Sequence, residues 1–267
     1  MRTQRQRGIV LKSRREIELM RAAGALVHRV LVRMEELARP GVTTAELNAV
    51  AEKMIAEAGA KALFKGVTTP QARIPFPAAL CTSVNEEVVH GVPSDRALAA
   101  GDIVSIDCGV LLNGYCGDSA VTIAVGEVSA PVRHLMQVTR RALDLAIEEI
   151  RPDRMWSGVA GRLQQYVEGE GLSVVREFVG HGIGQEMHEE PKVPNFVDRR
   201  QKRADFRLVE GMTLAIEPMV TMGGPEVCYA GKECWAVCTK DGRHAAHYEH
   251  TVAVTAEAAD VLTNGRV

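Results

Sequence analysis

The sequence predicts an α+β fold made of two related halves, each a pair of helices leading into strands. Three observations carry this, and their shared order along the chain makes chance matching a poor explanation. First, Leu98, Gly101, Val104, Ser105, Ile106 and Asp107 recur as Leu208, Gly211, Leu214, Ala215, Ile216 and Glu217. Second, residues 35–41 (EELARPG) are echoed by residues 148–153 (EEIRPD), each closing a helical pattern with a Pro break. Third, the run DSAVTI from Asp118 is echoed by EHTVAV from Glu249. The halves, about 11–130 and 131–267, are expected to face each other across a pseudo-twofold axis.

The elements follow in order. Residues 1–10 form a basic arm holding Arg2, Arg5 and Arg7, and an amphipathic helix is already running at Ile17, Leu19 and Met20. A second helix starts where Thr43 and Glu46 have capping-box spacing and runs out near Gly59. The apolar strand ending at Asp107 leads into Asn113-Gly114, the strongest short hairpin signal, since both residues tolerate positive φ. With those two at the turn, Leu112 faces Tyr115 and Asp107 faces Ala120. Asp118 is then a diagonal neighbour of Asp107 on the same sheet face. In the second half, Ser157 is the expected N-cap of a helix that ends near Gly171. The second copy carries an insertion, Gly223 to Cys238, with a strand-like CWAVC.

Composition narrows the function. At 267 residues and 46 % hydrophobic, the chain is long enough for one large core, so 11–267 is expected to be a single domain. Lys plus Arg (32) nearly balances Asp plus Glu (34), which gives no reason to expect a specific nucleic acid or a membrane as partner. No apolar run approaches the length of a membrane span. The six cysteines form no C-x-x-C pair and nothing marks secretion, so a reduced, cytoplasmic protein is expected.

Four acids then need an explanation. By the repeat, Asp107 and Asp118 of one half and Glu217 and Glu249 of the other converge at the axis, and bare charges cannot share a semi-buried site. A lone strand acid is ordinarily paired with Lys or Arg, but the basic residues nearby in sequence, Arg203, Arg207, Lys232 and Lys240, show no matching duplication. Two divalent cations supply the required positive charge, and carboxylates can bridge metals about 3.5–4 Å apart. In GHGIGQEMHEEP, from Gly180, three glycines let the backbone approach closely around His181, which suits a nitrogen ligand, while His188 suits a substrate contact. His90 lies at a turn before Gly91. His28, His134, His244, His247 and His250 are read as structural or surface histidines.

These residues, with IEP at Ile216 and YEHTVAVT at Tyr248, resemble the type I methionine aminopeptidases over nearly the whole chain. The resemblance implies the pita-bread (creatinase/aminopeptidase) fold, a curved antiparallel sheet around which the two halves pack. It implies metal ligands Asp107, Asp118, His181, Glu217 and Glu249, with Asp118 and Glu249 bridging. The implied activity is metal-dependent hydrolysis that removes the N-terminal methionine of nascent polypeptides when the second residue is small. The nucleophile would be a dimetal-bound water or hydroxide, Glu217 the proton shuttle, His188 the partner of the scissile carbonyl and His90 a hydrogen-bond partner near the attacked nitrogen. Cys81, Met187 and Trp235 match the methionine pocket wall. The oxygen-rich set with one imidazole suits Mn²⁺ or Fe²⁺, and Co²⁺ or Zn²⁺ is also compatible. A monomer is expected, with transient ribosome contact by the basic arm left open. The chain departs from the family in residues 64–81, which are longer than usual and lack tyrosine, and at Met187, where an aromatic is more usual. The rival readings are the aminopeptidase P and prolidase group, which shares the ligand set, and a binding protein that has lost catalysis.

Overall fold

The computed structural model describes residues 8–266; Arg2, Arg5 and Arg7 of the basic arm lie outside the described residues. Helices α1 (Arg14–Leu37) and α2 (Thr44–Glu57) both begin with capping boxes, Ser13 with Glu16 and Thr43 with Glu46. Helices α3 (Ala130–Glu148) and α4 (Trp156–Gly169) form the second pair. The cap of α4 differs from expectation. Its N-cap is Met155, Ser157 lies inside the first turn, and the Ser157 N–H is taken by Asp205 Oδ1 at 2.9 Å. A carboxylate far along the chain does the work assigned to a local hydroxyl.

A nine-stranded sheet carries both halves. Its centre runs in the order Ile103–Leu112 (the Asp107 strand), Tyr115–Ala124 (the Asp118 strand), Glu249–Val254 (the Glu249 strand), Thr213–Ile216 (the Glu217 strand) and Gly180–Gly182 (the His181 strand). The axis relating the halves passes between the Asp118 and Glu249 strands. The hairpin register is the expected one: Leu112 pairs with Tyr115 and Asp107 with Ala120, while Asn113 and Gly114 have φ of 52° and 82°. Across the axis Glu249 pairs with Ala120, and Thr251 Oγ1 accepts the Asp118 N–H at 3.2 Å and donates to the Asp118 carbonyl at 2.7 Å.

Each half packs its own apolar core on the sheet. One is built from α1, α2 and the Asp107 strand, around Leu26, Val30, Met34, Leu47, Leu80 and Ile106. The other is built from α3 and α4, around Leu135, Leu143, Trp156, Leu163, Leu214 and Val252. The inserted segment forms strands Val227–Tyr229 and Val237–Thr239, which pair with each other, and the second of them pairs with Glu87–Val89. Only the end of CWAVC is strand. Cys234 takes a φ of 56°, so Trp235 leaves the sheet path and enters a buried apolar cluster. All six cysteines are free, and no helix among the described residues is long and apolar enough to cross a membrane.

Candidate active site

The four acids meet in one cavity of about 200 Å³, lined also by His181, His188, His90, Cys81, Met187 and Trp235. Every residue singled out from the sequence for this site is in that lining. Asp118 and Glu249 are each 2 % exposed. Ligand atoms of Asp118, His181 and Glu249 lie within 4.8 Å of one another. Glu217 Oε1 is 3.7 Å from His181 Nε2, which joins a third acid to the same cluster. Asp107 is placed by its strand, where it is flanked by Ala120 on one side and Cys81 on the other.

The geometry around His181 fixes its tautomer. Its Nδ1 lies 2.9 Å from the Gly182 carbonyl oxygen, which can only accept, so Nδ1 carries the proton and the Nε2 lone pair faces the acids. The close packing that allows this needs a glycine at 182. A Cβ there would sit 2.3 Å from the Glu190 carbonyl oxygen.

Burial sets the electrostatics. It drives the carboxyl pKa values of Asp107, Glu217 and Glu249 well above the ordinary range, helped by the negative charge of Asp118, and it pushes Asp118 itself up to about 7. Burial also lowers His181 and His90 to about 4 and His247 to about 3, so all three are neutral near pH 7. The Cys81 thiol is pushed up by burial and by Asp107, which leaves it an uncharged wall.

These shifts oppose each other in the metal-free protein. A raised carboxyl pKa means the native state keeps protons that the unfolded chain has released. Stability therefore falls as pH rises from about 4 through the Asp118 value of about 7. The depressed histidines act in reverse: the unfolded chain takes up protons below about 6.5, so stability falls again as pH drops toward 4. Between about pH 4 and 6.5 the two effects offset each other; above about 6.5 the histidines are neutral in both states and only the carboxyl effect is left, so the thermal midpoint of chelated protein is expected to fall from pH ~6.5 to 8. In that range a divalent cation at a hundredfold excess over its Kd should stabilise by about 2.7 kcal/mol. Calorimetry with and without metal checks this, and a midpoint of chelated protein that rises over the range would contradict it.

The donor set fits divalent cations. Asp107 Oδ1, Asp118 Oδ1 and Glu249 Oε1 are buried with no hydrogen-bond partner, and the described cavity lining contains no lysine or arginine. Hard carboxylate oxygens with one imidazole are ligands suited to divalent cations.

Beside the acids lies an apolar wall. Trp235 stands edge-on to Phe76 at 5.1 Å and donates its Nε1–H to the Ile74 carbonyl at 2.8 Å. Phe64, Phe76, Cys81 and Trp235 form one buried cluster with Met187 against it. His90, with φ of 60°, is held edge-on between Phe178 at 5.5 Å and Trp235 at 6.4 Å. His188 lies edge-on to His181 at 4.4 Å. Sequence reasoning missed Phe64, Phe76, Phe178 and His247. His247 was read as structural, yet its buried Nε2 is 3.8 Å from Glu217 Oε2 and has no hydrogen-bond partner. It stands two residues before Glu249 but on a separate strand, Ala245–His247, which pairs with Met219–Thr221 outside the nine-stranded sheet, so no local pattern pointed to it.

Comparisons with known proteins agree with this geometry. Residues 18–256 match the profile of metallopeptidase family M24. The chain is 46 % identical over 255 residues to a methionine aminopeptidase of Clostridium perfringens, covering 96 % of this chain and 98 % of that one. It is 43 % identical to methionine aminopeptidase 1 of Bacillus subtilis, covering 96 % and 99 %. A crystal structure of methionine aminopeptidase from Rickettsia prowazekii superposes with a TM-score of 0.89 at 33 % identity, covering 96 % and 99 %, and shares the pita-bread architecture. The chain therefore belongs to metallopeptidase family M24, on its methionine aminopeptidase branch.

Proposed function

We propose that this chain removes the N-terminal methionine from nascent polypeptides whose second residue is small, using two divalent cations held by Asp107, Asp118, His181, Glu217 and Glu249. The observation that carries the reading is the trio of orphaned buried carboxylate oxygens on Asp107, Asp118 and Glu249, facing one cavity that offers no cationic side chain. When bound, the cations would polarise the scissile carbonyl and acidify an attacking water. Glu217 must be a carboxylate to take the proton from that water, a form that the bound cations would favour against its burial, and it then returns the proton to the leaving amine. His188 steadies the carbonyl oxygen, and His90, kept neutral, hydrogen-bonds near the peptide nitrogen. The wall of Phe64, Phe76, Cys81, Met187 and Trp235 accepts a flexible thioether and disfavours a charged side chain. On this reading the enzyme is a cytoplasmic monomer, loaded with Mn²⁺, Fe²⁺, Co²⁺ or Zn²⁺.

The experiment is to strip the protein with chelator, restore individual metals, and measure methionine release from Met-Ala-Ser and Met-Lys-Ser. Chelation is expected to reduce turnover of the first peptide by on the order of 10²-fold or more, metal to restore it, and the second peptide to be a poor substrate throughout. Undiminished turnover by chelated protein would refute the reading.

A further inference from the structure

The segment preceding α1 reaches the active site through Lys12, a residue outside the ligand set. Lys12 is 7 % exposed. Its ammonium forms an ion pair with Glu189 and donates to the Val10 carbonyl at 3.0 Å. The other oxygen of that carboxylate, Glu189 Oε1, accepts the backbone N–H groups of Gln185 at 3.0 Å and Glu186 at 3.3 Å. Glu189 thereby ties off the turn 184–189, whose Met187 and His188 line the cavity.

The turn is closed tightly around the pair. A Cβ on Gly184 would lie 2.4 Å from both Glu189 Oε1 and Lys12 Cε. At its backbone, Lys12 donates its N–H to the Gly211 carbonyl at 2.7 Å, in the loop that enters the Glu217 strand. One residue therefore joins the approach to Glu217 with the turn that presents His188. An apolar side chain would fill the same space without the desolvation cost of an ammonium, so packing alone does not account for a lysine here.

We propose that Lys12 is a positioning residue, which through Glu189 fixes the turn 184–189 and so the placement of His188 and Met187 against substrate. The consequence for rate rests on the peptidase reading; the consequence for the turn does not.

A kinetic cycle of Lys12→Met and His188→Ala tests it on metal-restored protein with Met-Ala-Ser. Lys12→Met is expected to lower kcat/KM by on the order of 10²-fold, mostly in kcat and with bound metal unchanged. In the His188→Ala background the same change should cost no more than about twofold, because the group being positioned is gone. Lys12→Arg should recover part of the rate. Losses that simply multiply would overturn the proposal, since they would mean that Lys12 acts independently of His188. If Lys12→Met does not fold, Glu189→Gln enters the same cycle. Hydrogen exchange at the Gln185 and Glu186 amides provides a readout that needs no catalysis: protection should fall in either variant, and unchanged protection would also overturn the proposal. Wild-type protein inactive on Met-Ala-Ser would refute the peptidase reading while leaving the exchange result to decide the role of Lys12.

Discussion

Glu217→Ala is expected to lower kcat for Met-Ala-Ser by on the order of 10³-fold or more, the largest single-residue effect in the molecule. Glu217 directly follows its strand, with its carbonyl held by Asn195 Nδ2 at 2.9 Å and its carboxylate between His181 and His247. On the proposed mechanism the substitution removes a ligand oxygen and the proton carrier together. It also takes away one of the acids beside His181 Nε2. Steady-state kinetics with parallel metal analysis checks this. Glu217→Gln, which keeps the shape and loses the charge, should be nearly as slow while folding normally. Wild-type turnover in Glu217→Ala would remove the proposed chemistry altogether.

Gly182→Ala is expected to destabilise the fold and the site together. The added methyl would meet the Glu190 carbonyl oxygen at 2.3 Å and its carbon at 2.7 Å, both backbone atoms that no rotamer change can move aside. Relief requires the His181 strand to separate from Glu189–Val193 at the irregularity between His181 and Gly182. Overpacking of this kind costs about 1–3 kcal/mol or more. For a chain of this size that is a fall in thermal midpoint of roughly 2–12 °C. Because Gly182 also supplies the carbonyl that fixes the His181 tautomer, metal content should drop as well. Gly169→Ala, at the end of α4 with nothing within 4 Å of its added methyl, is the control and should shift the midpoint by no more than about 1 °C. Equal shifts in the two variants would discredit the steric argument.

The four acids of the cavity were legible in the sequence because they lie on elements with local rules. Asn113-Gly114 dictates a two-residue turn, the turn dictates register, and the register places Asp107 and Asp118 on one face. The repeat then extends the placement to Glu217 and Glu249 without any long-range prediction. What stayed hidden depends on contacts between distant segments. Phe64 and Phe76 supply the aromatic wall of a stretch that lacks tyrosine, yet nothing local says that they pack on Trp235. The cap of α4 comes from Asp205 rather than Ser157, a substitution of partners that only the folded chain reveals. Nothing local marks Lys12 for burial, which follows from Glu189, far along the chain.

The position of the Glu249 strand has a consequence for how the chain comes together. It lies at the middle of the sheet between the Asp118 and Glu217 strands, although nearly all of the chain precedes it. During synthesis the earlier strands must wait with a gap between them, exposing unpaired edges until this late segment threads into place. Loss of the last few dozen residues would therefore split the molecule along its midline rather than trim its rim.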